Sequence, residues 1–174
     1  NAILACHNVG GGKVVVPQGT FYTGPITLLS NVNLHIEKGA TLKFSTNPTD
    51  YFPAVLSRWE GIDCYNAHPL IYAYQAENIA LTGEGTLDGQ GSKTDWWYMK
   101  GGRHTIEGMP DQITSGGRAR LFGAAENGIP VEERIMTPAD ALRPPFVSFM
   151  NCTSALIEGV YITNSPFWVI HPIF

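Results

Sequence analysis

Residues 146–174 read FVSFMNCTSALIEGVYITNSPFWVIHPIF. Apolar runs at 147–150, 155–157, 160–163 and 168–172 alternate with the polar or small groups 151–154, Glu158-Gly159 and 164–166. Every run has the length of a strand, and none is long enough for a helix. Shifted back by 76 residues, so that Phe146 falls on Leu70, the stretch LIYAYQAENIALTGEGTLDG at 70–89 shows the same arrangement. Apolar falls mostly on apolar, although only Gly83 and Gly159 are identical in that register. A repeat of pattern rather than of letters is what stacked solenoid coils require, since each coil leaves an apolar face open until a neighbour covers it. The register predicts stacked pairs Ile71 with Val147, Ala73 with Phe149, Ile79 with Ala155 and Leu81 with Ile157. It also predicts that Trp168, Val169 and Ile170 form an exposed stack end, with Trp168 and His171 on opposite faces of one strand.

Working outward, strands are expected at 14–16, 21–29, 32–36 and 40–44, separated by short turns such as Ser30-Asn31 and Glu37-Lys38-Gly39. The first of them reads as buried. Residues 1–9 read as the tail of a helix without an N-cap, stopped by Gly10, Gly11 and Gly12. Short strands with few two-residue Asn-Gly or Asp-Gly turns favour a parallel β-helix over a hairpin meander. Two excursions break the rhythm. Residues 47–69 gather aromatic and charged groups and read as a loop. Residues 90–145 carry seven of the eleven basic residues together with seven acids, and short helices are expected there over 131–136 and from Thr137. Insertions of this kind commonly wall the binding face of a solenoid.

The composition fits an all-β single domain over 1–174 that buries a sizeable core. The chain is 44 % hydrophobic and 15 % charged, with 19 Gly and 12 Pro. A net charge of −4 leaves no basic footprint, so neither nucleic acid nor membrane is expected as a partner. Cys6, Cys64 and Cys152 cannot all pair and have no metal-ligand spacing, so no disulfide framework, metal or cofactor is expected. No apolar run of about 18 residues and no charged-then-apolar leader occurs, so no membrane helix and no signal peptide are expected within these residues.

Three pieces in order, GGGKVVVPQGTFYTGPITLLSNVNLHIEKGATLKF, LIYAYQAENIALTGEGTLDGQG and LRPPFVSFMNCTSALIEGVYITNSPFWVIHP, resemble the N-terminal part of glycoside hydrolase family 28. The resemblance to these polygalacturonase-like, pectin-degrading enzymes implies a right-handed parallel β-helix and a secreted or periplasmic hydrolase of galacturonosyl linkages. It implies an inverting mechanism with two carboxylates about 6.5–9.5 Å apart. The family's NTD, DD, GHG and RIK motifs are absent here, Asn47-Pro48-Thr49-Asp50 being no match. The catalytic acids are therefore expected beyond residue 174, on a remainder of the β-helix that follows Phe174. The alternative is a non-catalytic carbohydrate-binding or structural β-solenoid module. A calcium-dependent pectate lyase on the same fold would need a cluster of acids that the sequence does not display.

Substrate-binding candidates follow from chemistry suited to a pectic oligo- or polysaccharide. His171 and Trp168 lie on the last coil. Arg58, Trp59 and Glu60 combine an aromatic face with a cation able to grip a carboxylate, the competing reading being a surface ion pair worth about 0–1 kcal/mol. Trp96, beside Trp97, could stack on sugar, although an adjacent pair usually sends one ring inward. Arg143 could reach a substrate carboxylate or cap loop carbonyls. The aromatic and basic content of 90–145 suits a pocket that closes on a chain end, hence exo rather than endo action.

Overall fold

The computed structural model describes residues 1–173. The chain winds through three parallel sheets as a right-handed β-helix. Strands β1 (Gly12–Val16), β4 (Val32–Ile36), β9 (Glu77–Gly83) and β12 (Thr153–Glu158) line the first face. The second face is β2 (Gly19–Thr23), β5 (Ala40–Phe44), β10 (Thr86–Asp88) and β13 (Tyr161–Thr163). The third is β3 (Ile26–Thr27), β8 (Ile71–Tyr74) and β11 (Val147–Met150).

The four expected stacked pairs are present: Ile71 on Val147, Ala73 on Phe149, Ile79 on Ala155 and Leu81 on Ile157. Stacked residues are 20 apart in the bare coil (Val14 on Leu34), 45 apart in the next (Ile26 on Ile71) and 76 apart in the last (Ile71 on Val147). The excursion at 47–69 has 23 residues and that at 90–145 has 56; 45 less 23 is 22, and 76 less 56 is 20. Each excursion is thus an addition to a coil of about constant length. The register slips by one residue at the far corner, where Thr86 pairs with Tyr161, because Glu84-Gly85 in one coil is matched by Val160 alone in the next.

Inward positions alternate along β4 and β5, so Val32, Leu34, Ile36, Ala40, Leu42 and Phe44 are buried while the residues between them are partly exposed. Leu81, Leu87, Ile71 and Val147 continue the column, and the rings of Phe44 and Phe146 meet edge to face at 5.2 Å. Each such fully buried side chain contributes roughly 1.5–3 kcal/mol. At the first coil the pattern differs from expectation. β1 is largely exposed rather than buried, since its outer side is covered only by α1 (Ala2–Asn8). That helix does have an N-cap: the Asn1 side chain accepts the Ile3 amide at 3.1 Å.

Residues 47–69 form an antiparallel hairpin, β6 (Val55–Trp59) and β7 (Ile62–Asn66), rather than an irregular loop. Its two-residue turn places Glu60 at φ 45° and Gly61 at φ 90°, the geometry that normally recruits Asn-Gly. In 90–145 the expected short helices are the 3₁₀ turns Val131–Glu133 and Pro138–Asp140, the latter closed by a capping box from Thr137 to Asp140. A further helix, α2 (Gly117–Glu126), has no side-chain cap and no apolar stripe, so no sequence signal announced it.

Asp140 organises the insertion. Its carboxylate accepts the Arg120 guanidinium at 3.0 and 2.5 Å and the Thr137 amide at 2.7 Å. Burial pushes this carboxyl up, but the bonds from Arg120 and Thr137 outweigh it and hold it below the usual carboxylate range. A group lowered on folding stabilises the protein above its unfolded pKa of about 3.9 and loses that contribution as pH falls through its folded value. Asp140→Ala is expected to cost about 1–3 kcal/mol in denaturant melts at pH 7, with a difference from the parent that shrinks as pH falls below about 3.9. A difference that stays constant down to the acid unfolding of the parent would show that the carboxylate charge is not what stabilises the fold.

Candidate functional site

Both excursions leave the solenoid at one corner. The hairpin β6–β7 follows β5, the 90–145 insertion follows β10, and residues 164–169 follow β13, each bridging the second face to the third. Side chains distant in sequence are therefore stacked along one edge. There a cleft of about 310 Å³ is lined by Glu60, Trp97, Lys100, Gln112, Arg143, Ser165, Pro166, Phe167 and Trp168.

Arg143 is held at the cleft floor. It is 8 % exposed, donates from Nη1 to the Pro166 carbonyl at 3.0 Å, and lies 4.9 Å above the Phe167 ring. Burial lowers its pKa to about 10, partly offset by Glu60, so it stays charged at neutral pH. The guanidinium thus caps a loop carbonyl, as one of its two readings has it, and lines the cleft. Trp59, Phe167 and Trp168 form a column, with ring centroids 5.7 and 4.5 Å apart and interplanar angles of 15° and 22°.

The two neighbouring tryptophans of the insertion divide their roles. Trp96 has φ 64°, is 2 % exposed, and sets its ring edge to face against Tyr51 at 5.2 Å. It does not face the cleft, which corrects the expectation for Trp96. Trp97 does, at 37 % exposure, with Nε1 donating to the Ser165 carbonyl at 2.9 Å.

Trp59 is also buried and supports the floor through Phe167 rather than offering a face to a ligand. Arg58 grips Asp63 across the hairpin, with Nε and Nη2 at 2.7 and 3.1 Å from the carboxylate oxygens, and does not line the cleft. Glu60, at the hairpin tip, does, and its carboxylate accepts Arg118 Nε of α2 at 3.0 Å.

Trp168 and His171 are not on opposite faces of a regular strand. Their rings are in contact, centroids 4.6 Å apart and tilted by 57°. The successive amides of Phe146 and Val147 donate to the successive carbonyls of Trp168 and Val169, which a regular ladder forbids and a bulge permits. Only isolated bridges at Ile170 and Ile173 follow, with Pro172 between them lacking a donor. His171 sits beneath Trp168, where burial and then the Arg58 charge push its pKa down, leaving the imidazole neutral at pH 7. Lys100, Gln112, Arg118 and Phe167 were not foreseen as part of this corner. Lys100 shared the basic signature of the insertion, whereas Gln112 carried no signal at all.

The chain aligns over 98 % of its length with a hyperthermoactive exopolygalacturonase from Thermotoga maritima, at 47 % identity and a TM-score of 0.93. An endo-polygalacturonase of Pectobacterium carotovorum subsp. carotovorum is 33 % identical over 111 residues, 55 % of this chain. This is a polygalacturonase-like chain. A second curated relative, the exo-poly-alpha-D-galacturonosidase of Dickeya chrysanthemi, is 33 % identical over 100 residues, 53 % of the chain. No family model matches it. The polygalacturonase-like chain spans 38 % of the Thermotoga enzyme, 26 % of the Pectobacterium one and 16 % of the Dickeya one. Its cleft corner is thus described on a fold shared with enzymes of longer chain.

Proposed function

We propose that the chain provides the N-terminal coils of a secreted or periplasmic glycoside hydrolase that cleaves galacturonosyl linkages of pectic polysaccharide, working from chain ends. The observation that carries this reading is the cleft at the corner, where the charged Arg143 and Lys100 lie beside the half-open indoles of Trp97 and Trp168. A galacturonate residue has the complementary chemistry: a carboxylate for the cations and a ring face for the indoles. Glu60 suits the sugar hydroxyls, since a carboxylate accepts two hydrogen bonds from a diol and repels the uronate charge to the opposite wall. His171, Trp59 and Arg58 act behind this surface, by fixing the Phe167–Trp168 column and the hairpin.

In this reading hydrolysis inverts the anomeric centre. One carboxylic acid protonates the leaving oxygen while a carboxylate about 6.5–9.5 Å away activates water. Among the described residues that line the cleft, Glu60 is the one acid, and it is engaged by Arg118. The catalytic pair is accordingly assigned to further coils stacked on the edge that carries Trp168, Val169 and Ile170, which are 39, 44 and 51 % exposed. The single acid in the cleft equally suits a binding module without catalysis, and the experiment below separates the two.

Exo action is favoured because the long insertion contributes Trp97, Lys100 and Gln112 to the lining of the cleft, and an insertion that walls a groove can stop a polymer from passing through. The likeness to a Thermotoga exopolygalacturonase over nearly the whole chain supports the same choice. Digestion of polygalacturonate by the complete protein should release monomer or dimer early while viscosity falls slowly. A rapid fall in viscosity with a ladder of long oligomers would mean an open groove, and deletion of residues 96–134 would then change little. Binding of oligogalacturonides without any product would identify the non-catalytic module.

A further inference from the structure

The outward side of the third face holds two polar groups that neither the apolar column nor the cleft uses. Isolated bridges join Val147 to Ile170 and Met150 to Ile173, so His171 lies beside Ser148 across the strand spacing. Val147 and Phe149 point into the core, which turns Ser148 outward, with Tyr72 on one side of it and His171 on the other. The hairpin closes this column from above. Val55 and Leu56 pack on Tyr72, Met150 and Ile173, and the Tyr72 hydroxyl donates to the Leu56 carbonyl at 2.7 Å. Ser148 is 0 % exposed beneath it.

Ser148 Oγ and His171 Nδ1 are both buried, and neither has a hydrogen-bond partner in the protein. A buried hydroxyl without a partner is costlier than the alanine that would fill the same place, so two such atoms side by side point to something that serves both. Serine is also the smallest side chain of its column. Set between two rings, with strands about 4.8 Å apart, it leaves a gap of the size one water fills. Above the imidazole rests Trp168, its ring centroid 4.6 Å away and its other contact the Phe167 ring at 4.5 Å.

We propose that Ser148 and His171 are positioning residues for Trp168, joined by one buried water that bridges Ser148 Oγ to His171 Nδ1. The bridge fixes the plane of the imidazole, and the imidazole fixes the indole that lines the cleft. A water can accept from either atom while donating to the other, so both orphaned groups are met by a single molecule. The consequence for binding rests on the reading of the cleft as a galacturonate site, whereas the water and the order of the indole do not.

The test compares the complete protein with its Ser148→Ala, His171→Phe and Ser148→Ala/His171→Phe variants. Phenylalanine keeps a ring under Trp168 and removes the nitrogen. A high-resolution crystal structure of the parent should show one water within hydrogen-bond distance of both atoms. Ser148→Ala should lower the melting temperature, since it strips a bridged group, whereas removal of a dry orphaned hydroxyl would raise it. With 5-fluorotryptophan incorporated, the fluorine resonance of Trp168, assigned through Trp168→Phe, should shift or broaden in both single variants. That of Trp96, packed on Tyr51 away from the cleft, should stay in place and report an intact fold. Each single variant should weaken calorimetric binding of digalacturonate by about 2- to 10-fold, the worth of one hydrogen bond, and the double variant by no more than either, because all three lose the same water. A parent without the water, a Ser148→Ala protein that melts higher, an unmoved Trp168 resonance or additive single losses each overturn the positioning pair. A parent that shows the water and the resonance changes but binds no digalacturonate upholds the pair and overturns the galacturonate reading.

Discussion

In the complete protein of the proposed reading, Arg143→Ala should raise the KM for polygalacturonate by about 10- to 150-fold, the equivalent of losing a hydrogen bond to a charged group worth roughly 1.5–3 kcal/mol. The large expectation follows from where the charge sits. At 8 % exposure the guanidinium is shielded from water and anchored by the Pro166 carbonyl and the Phe167 ring, so a carboxylate bound there would find it already ordered. Arg143→Lys separates the two roles. It keeps the charge but lacks the planar fork and the stacking face, so it should recover part of the KM and little of the thermal stability that alanine loses. If both variants raise KM equally while melting like the parent, the arginine acts by geometry rather than by charge. If alanine leaves KM unchanged and lowers only the melting temperature, Arg143 is a loop cap and the carboxylate is held elsewhere.

Gly83→Ala should destabilise the fold by more than about 3 kcal/mol, enough to lower the melting temperature by roughly 10 °C for a chain of this size. Gly83 ends β9 at φ 118°, a conformation that side chains resist, and an added Cβ would lie 2.0 Å from the Ile36 carbonyl oxygen in the coil below. Backbone cannot step aside here, because Ile36 O already accepts the amides of Glu84 and Gly85, both at 3.0 Å. The next coil repeats the constraint, a Cβ on Gly159 meeting Gly83 O at 2.3 Å. Gly123→Ala in α2, where a Cβ meets nothing within 4 Å, is the matched control and should be neutral or slightly stabilising. A Gly83→Ala protein that melts within a degree or two of the parent would mean that the coils can separate locally at little cost.

The identity of Gly83 and Gly159 was the one fixed letter in the 76-residue register, and close coil contact explains why that letter is glycine. The stacked pairs along β8, β9, β11 and β12 were legible because inward positions must match between neighbouring coils. Sequence pattern failed where local geometry departs from regular rules. The hairpin tip uses Glu60-Gly61, so a search for Asn-Gly or Asp-Gly passes over it. Adjacent Trp96 and Trp97 do not declare which ring turns in, since that depends on the positive φ of Trp96. Alternation put Trp168 and His171 on opposite faces, and a bulge brings them together. Of the site, the chemistry of Arg143, Glu60 and Trp168 was visible in residue type. The wall of Lys100 and Gln112 exists only because a long excursion folds back onto the corner.

Both excursions and the bulged segment depart from the same corner, and each coil resumes its stacking after 23 or 56 added residues. The entropy of closing a loop grows only logarithmically with its length, so the longer detour costs little more than the shorter. The corner therefore behaves like a socket: descent with insertion or exchange of its loops can lengthen, shorten or re-charge the end wall while the apolar column beneath keeps its register. Enzymes that nibble and enzymes that cut within a polymer can then diverge on one scaffold by editing that single edge.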